Sequence, residues 1–489
     1  MSMNSDDLEG QFVVSLGGVS PAGGSHRHKL ASLAVDIFPG VDLIPVIDGG
    51  GRTIGALLGT AIDLDNESIV TGQLRLEGTL STSQDVEPFL EKNIYRLAGS
   101  FLFVLDVRGM RRIYLDADAT MSLVYDPEAE IAGSSAAPLF DAETYRGRFR
   151  TDLYNALDVD NAGWFTAGLT AHRGLHRLLC NHYLDLETWV AVRHWPRQQI
   201  ADGPDASMAY RQISDQVTRA IRALAKSGNA CVALTAGNDS RFLLACCRDL
   251  VNDVSFVTVD APGAELDVAC ARNLATRFGL RHKVLPFRLA SAVEQERWQF
   301  RAGHCVGGAN MKMHPSVSPL EGKYFVGGLG GEIGRGFLWL KAESDTAIDA
   351  ANIVARLKLP QHPAVLEAVD AWLFPLLNYD SLFILDLAYL ELRMSAWGFA
   401  DSYVKPKQKE INPMISRANY VNMLSVPSRM RREREILLKE IGIKWPDVLA
   451  IPINRYGDMR DKLKFVRDVF SNPRRAIRKV SQIVYAGAR

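Results

Sequence analysis

Apolar residues follow two different periods along this chain. Up to about residue 140 they come in short runs, at 12–16, 73–76, 101–105 and 112–115, separated by Gly, Asp and Asn. Such runs are the pattern of strands and turns. The stretch 101–115 predicts a hairpin turning near Gly109, and 87–97 predicts one helix. After residue 200 the spacing becomes helical: Ile213, Val217, Ile221 and Leu224 form one stripe that Gly228 stops. The chain then alternates, with strands at 231–234, 254–259 and 282–285 and helices at 240–250 and 265–278. A βαβαβ order demands a parallel sheet with right-handed crossovers. From about residue 345 the pattern is mainly helical, and the aromatic-rich stretch 141–200 reads as the link between the two halves. The expected architecture is therefore an α+β layered-sheet domain, then an α/β doubly wound parallel sheet with a helical extension.

Composition narrows the class. At 489 residues, with 47% hydrophobic and 23% charged positions, the chain matches ordinary globular proteins of two to four domains, not disordered or fibrous ones. Lys plus Arg and Asp plus Glu both number 56, so no global field draws it to nucleic acid. The longest apolar run, 381–390, is short and broken by Asp386, too short to span a bilayer. The first residues lack a basic region and an apolar stretch, which predicts a cytoplasmic protein. Six cysteines without a C-x-x-C pair predict free, buried thiols.

The sharpest chemical signal is Val232-Ala-Leu-Thr-Ala-Gly-Asn-Asp-Ser-Arg241. A strand running through a small, glycine-containing turn into a helix aims backbone N–H groups and the positive helix end at one point, which suits a phosphate. Thr235 and Ser240 add hydroxyls, and Asp239 offers a carboxylate to a Mg²⁺ that phosphates also ligate. The alternative is an ordinary strand-to-helix turn with Asp239 or Ser240 as N-cap. A second signal is Val326-Gly-Gly-Leu-Gly-Gly-Glu-Ile-Gly-Arg-Gly-Phe337, whose glycines allow close backbone approach while Glu332 and Arg335 bring one charge of each sign. Here the alternative is a glycine-rich connection with a surface Glu–Arg pair.

The first segment resembles the S-G-G-x-D-S pyrophosphate loop of the asparagine synthetase family, with Thr235 and Ala236 at the first Ser and Gly and with Gly237, Asp239 and Ser240 matching. Phe256 to Asp267, Ala271 to Leu280 and His282 to Leu285 are similar to that family's second strand and helix. Val326 to Phe337 is similar to its S-G-E-G-x-D-E segment, with Glu332 at the last acidic position and Gly331 where a second metal-binding Asp would stand. Tyr389 to Ser395 and Asn412 to Pro427 resemble later motifs, and Arg434 takes the place of a lysine that neutralises the α-phosphate. For the basic run Arg429 to Arg434, a solvated helix face is the alternative. Leu97 to Asp106, Arg112 to Asp116 and Leu123 to Tyr125 resemble the family's glutaminase domain, but the nucleophilic Cys that comes after the initiator Met there is Ser2 here. The resemblance spans about residues 95 to 455 and is strongest from 230 to 290.

This likeness implies an Ntn-hydrolase-like domain without glutaminase chemistry over 1–200 and an ATP-pyrophosphatase domain over 201–455. It implies ATP and Mg²⁺ as cofactors, with Leu234, Thr235, Ala236, Gly237, Asn238, Asp239, Ser240, Val259 and Gly330 around the nucleotide, Asp239 on the metal, and Glu332 and Arg434 as catalytic groups. The implied reaction adenylates a small-molecule or peptide carboxylate and passes it to an amine other than one released from glutamine. Two rivals are a non-catalytic, ATP-binding assembly subunit, supported by Ala236, Gly331 and Arg434, and sulfur transfer to tRNA, which lacks its paired cysteines and basic surface. A homodimer is compatible with the sequence. From Arg455 onward stand ten Lys or Arg residues, with apolar positions at amphipathic spacing around Pro473. They read as a helix docked on its own domain, or as a membrane-surface or partner contact.

Overall fold

The computed structural model describes residues 5–17, 24–81, 85–107, 109–403 and 409–461. The residues beyond 461, and with them most of the basic amphipathic segment, lie outside the described residues. Three sheets organise the chain. One has six strands, all pairs antiparallel, with Phe12–Ser15 between Ile131–Gly133 and Ala34–Ile37. A second, of eight strands, is antiparallel except where Leu43–Ile47 meets Leu74–Arg75. Its centre is the pairing of Thr53–Asp63 with Ala98–Val107, from Gly55↔Leu105 to Ile62↔Ala98. The predicted hairpin joins Ala98–Val107 to Met110–Leu115 through Gly109, whose φ of 74° suits glycine.

The strand period sorts side chains between two layers. Leu58, Leu102 and Val104 join Phe12 and Val35 in the core between the sheets. Leu57, Phe101, Phe103 and Leu105 point the other way, onto Val86, Leu90 and Ile94 of the helix Val86–Asn93 and its end. The stretch 141–200 is more than a link. His176–Arg177 is an edge strand of the six-stranded sheet, and His182–Asp185 and Val190–Arg193 extend the eight-stranded one.

The third sheet is parallel throughout, and it holds the predicted βαβαβ unit. Its order places Ala230–Ala233 at the centre, with Ser255–Asp260 and His282–Pro286 on one side and Tyr324–Val326 and Lys409–Ile411 on the other. The chain therefore reverses its direction of winding between Ala230–Ala233 and Tyr324–Val326. At such a switch point the loops leaving two neighbouring strands part company and open a crevice at the carboxyl ends. The helices Ala206–Ala225, Asn238–Cys246 and Glu265–Phe278 flank the sheet, and Gly279, at φ 63°, ends the last of them.

One buried cluster runs from Phe12 and Leu102 through Leu184 and Tyr210 to Leu357 and Ile441, so both halves share a core. Polar contacts cross the same seam: Trp164 Nε1 donates to Leu392 O at 3.1 Å, and Arg193 makes two bonds to Glu391 at 2.7 and 2.6 Å. All six cysteines are buried and free. Among the described residues no helix is long and apolar enough to cross a membrane.

Candidate functional site

Two loops meet at the switch point. The first runs from Leu234 into the helix Asn238–Cys246, and the second is the glycine-rich segment after Tyr324–Val326. Neither Asp239 nor Ser240 caps the helix. Its N-cap is Gly237, and no side chain satisfies the first turn. Ser240 instead turns its hydroxyl inward, receiving the Thr235 amide at 3.1 Å and sharing a 2.8 Å bond with the Thr235 hydroxyl. The Gly237 amide donates to Thr235 Oγ1 at 3.2 Å. The two hydroxyls expected to meet a phosphate therefore staple the turn. Ala236 donates its amide to Asp267 Oδ1 at 2.8 Å, from the start of the next helix, and accepts from the Asn454 amide at 2.8 Å.

The glycine loop closes directly over this turn. A Cβ on Gly328 would stand 3.0 Å from Asp239 Cβ and 3.7 Å from the Ser240 amide nitrogen. Gly330 has a φ of 102°, a conformation L side chains avoid, and its amide donates to Glu332 Oε2 at 3.2 Å. The Leu329 amide donates to Asn412 Oδ1 at 3.1 Å, which ties the loop to the neighbouring strand end. Arg335 then reaches across to Asp239, with Nη1 on Oδ1 and Nη2 on Oδ2 at 2.9 Å. Glu332 Oε1 lies 3.6 Å from Arg335 Nη2. The alternative, a surface Glu–Arg pair, is not what forms: the three side chains make a partly buried triad in which Arg335 belongs mainly to Asp239. Burial, then repulsion from Asp239, holds Glu332 above the usual carboxylate range, against the opposing pull of Arg335. Burial is the largest single influence on Arg335 and lowers it, but the bonds and charge of Asp239, with Glu332 and Tyr210, together push it up.

No protein-family model and no curated protein matches the chain. What the site can do lies in the geometry of its two loops.

That geometry brings together Thr235, Ala236, Gly237, Asn238, Asp239, Ser240, Gly330 and Glu332 and sets three expectations apart. Leu234 is fully buried and its carbonyl accepts from Thr258 Oγ1 at 2.6 Å, so its side chain faces the core instead of a ligand; Val259 is half-buried. Arg434 is exposed, at a φ of 57°, in the break between the helices Ser428–Glu433 and Glu435–Lys444. The inward arginine of that basic run is Arg431, three residues earlier. It is buried, holds both Asp386 oxygens at 2.8 Å, donates to the Ile333 carbonyl and lies over the Trp339 ring at 4.3 Å. Asp386 and Arg431 therefore secure the Glu332–Arg335 turn from behind.

The third departure concerns the metal. Both Asp239 oxygens receive Arg335 N–H groups, and Gly331 contributes no side chain. Among the described residues no group of three or more His, Cys, Asp or Glu side chains is arranged to hold a metal ion. Mg²⁺ takes one or two carboxylates together with waters and substrate phosphates, and here the single carboxylate already faces a guanidinium through both of its oxygens. This donor set does not fit a Mg²⁺ on Asp239. The motif pattern made Arg335 a charge of unknown use; only the fold shows that it points at Asp239, 96 residues away.

Proposed function

We propose that the chain is an ATP-dependent, AMP-forming amide-bond synthetase with an Ntn-hydrolase-like first half and an ATP-pyrophosphatase second half. The observation that carries this reading is the meeting of the Thr235–Ser240 turn and the Gly327–Arg335 loop at the carboxyl ends of adjacent parallel strands, where the winding reverses. An uncapped first helical turn supplies amide donors and a positive end to a phosphate. In the proposed reaction a substrate carboxylate oxygen attacks the α-phosphorus of ATP and pyrophosphate leaves. The resulting acyl-adenylate is opened by an amine, which releases AMP and leaves an amide. Glu332, at the mouth of the two loops, takes the proton that the incoming ammonium must lose before its nitrogen is nucleophilic. The amine comes as free ammonia, a second substrate or a group on the same molecule.

The test is product analysis with a panel of carboxylates and amines. ATP should yield AMP and pyrophosphate, and ADP as the nucleotide product would overturn the reaction class. The Asp239–Arg335 pairing specifically favours a second reading, an ATP-binding assembly subunit without turnover. ATP binding with no AMP formed against any substrate pair would select it.

A further inference from the structure

The Asp239–Arg335 pair and Gly331 form one device. A Cβ on Gly331 would collide with Asp239 Oδ1 and stand 3.2 Å from Arg335 Nη1. No side chain larger than hydrogen is compatible with the pair as it stands. The bare backbone at 331 leaves room first for the Asp239 carboxylate and then for the guanidinium that meets it. The pair is partly buried, with side-chain exposures of 11% for Arg335 and 23% for Asp239, and the contact uses both oxygens of the carboxylate. A bidentate Arg–carboxylate contact is among the strongest charge-assisted arrangements available to side chains. The Ile333 carbonyl, held by buried Arg431, fixes the short turn Ile333–Arg335 from which Arg335 extends. Tyr210, from the long helix Ala206–Ala225, donates its hydroxyl to Gly334 O at 3.4 Å in the same turn.

We infer that the Arg335 guanidinium is the resident cation of this loop, that Asp239 is its counter-ion, and that the protein holds no divalent metal ion of its own at Asp239. A divalent ion would have to displace a bidentate guanidinium and would find no second carboxylate at 331. Glu332 remains nearby, but its Oε2 accepts the Gly330 amide at 3.2 Å. On the ATP reading, any metal then arrives with the phosphates of the nucleotide and leaves with them. The metal inference itself needs no nucleotide.

The test titrates Mn²⁺ into the nucleotide-free full chain and follows it by electron paramagnetic resonance. The wild type and Asp239→Asn should give the same curve, with no saturable site that depends on Asp239. The double variant Gly331→Asp/Arg335→Ala, which removes the guanidinium and adds a second carboxylate, should gain one site at least tenfold tighter. A wild-type site that Asp239→Asn abolishes overturns the inference. So does a double variant that folds, by circular dichroism and cooperative urea unfolding, yet gains nothing; if it does not fold, Arg335→Ala alone is titrated and must bind Mn²⁺ more tightly than the wild type. ATP binding measured by calorimetry keeps the two claims apart. An Asp239-dependent Mn²⁺ site alongside ATP binding sinks the metal inference and leaves the nucleotide reading standing, whereas no ATP binding and no such site does the reverse.

Discussion

Glu332 concentrates the chemistry of the site because its environment works against its charge. Burial is the larger cause of its raised pKa, Asp239 adds repulsion, and Arg335 opposes both at a distance of 3.6 Å. A carboxylate base raised above its usual range is better matched to taking a proton near neutral pH. Amide formation should therefore rise with pH as Glu332 ionises, through an apparent pKa above that of an ordinary glutamate. Glu332→Gln keeps an oxygen to accept the Gly330 amide but cannot take up the proton. The expected result is retained ATP–pyrophosphate exchange with amide formation reduced by about 10²- to 10⁴-fold, the usual contribution of a general base. If exchange and transfer fall by the same factor, Glu332 acts only through the Arg335 pair. At this scale the sequence revealed which residue types gather, Asp239 and Glu332 among them, because their loops carry local patterns. It did not reveal their partners, since the Asp239–Arg335 and Asp386–Arg431 pairs join residues 96 and 45 positions apart.

Among elements, the helix Ser381–Ala388 illustrates why a buried charge must be matched. Every residue from Leu382 to Ala388 is buried, and the chain continues into the π-helical turn Tyr389–Met394. The Asp386 carboxyl is 3% exposed, and burial pushes it up to about 6 despite Arg431. Removing either partner strands the other charge, which costs on the order of 3–5 kcal/mol, whereas removing both for apolar groups of similar size costs far less. Asp386→Asn and Arg431→Met should each lower the urea midpoint strongly, and Asp386→Leu/Arg431→Met should recover most of the loss. Single variants within about 0.5 kcal/mol of wild type, the range of ordinary surface changes, would show that the pair does not hold the Ile333–Arg335 turn. Elements were legible where a local rule closes them. The predicted helix 265–278 ends where Gly279 adopts a left-handed φ of 63°. The strand Thr53–Asp63 escapes the sequence pattern because both of its faces are buried, which erases alternation. Its Gly55 and Gly59 stand where a Cβ has no room, against Val104 O for the first and against Met121 Sδ and Ser100 O for the second.

At the scale of the molecule, the shared core makes the seam between the halves an interior, and interiors make stability depend on pH. A cavity of about 490 Å³ lies on this seam, lined by Asp42, Thr60 and Ser100 from the first half and by Tyr324, Lys409 and Glu410 from the second. Glu410 reaches back toward the glycine loop, where a Cβ on Gly327 would stand 3.1 Å from its Oε1, and Asn412 Nδ2 donates to the same oxygen at 3.3 Å. Burial pushes its pKa up to about 7. Between the unfolded glutamate value of about 4.3 and that raised value, the folded chain retains a proton that the unfolded chain has released. Stability contributed by Glu410 is therefore complete below about pH 4 and is lost as pH rises through about 7. The Asp386 carboxyl, also raised, adds a loss of the same sign over a lower range, ending near pH 6. Glu410→Gln removes one titration while keeping an oxygen for Asn412. Its denaturant midpoint should exceed that of the wild type at pH 8 and fall toward it at pH 5.5, so that the variant shows a flatter pH profile. A variant whose midpoint runs parallel to the wild type across that interval would mean that Glu410 is already ionised in the folded protein and that the seam is wetter than its packing implies.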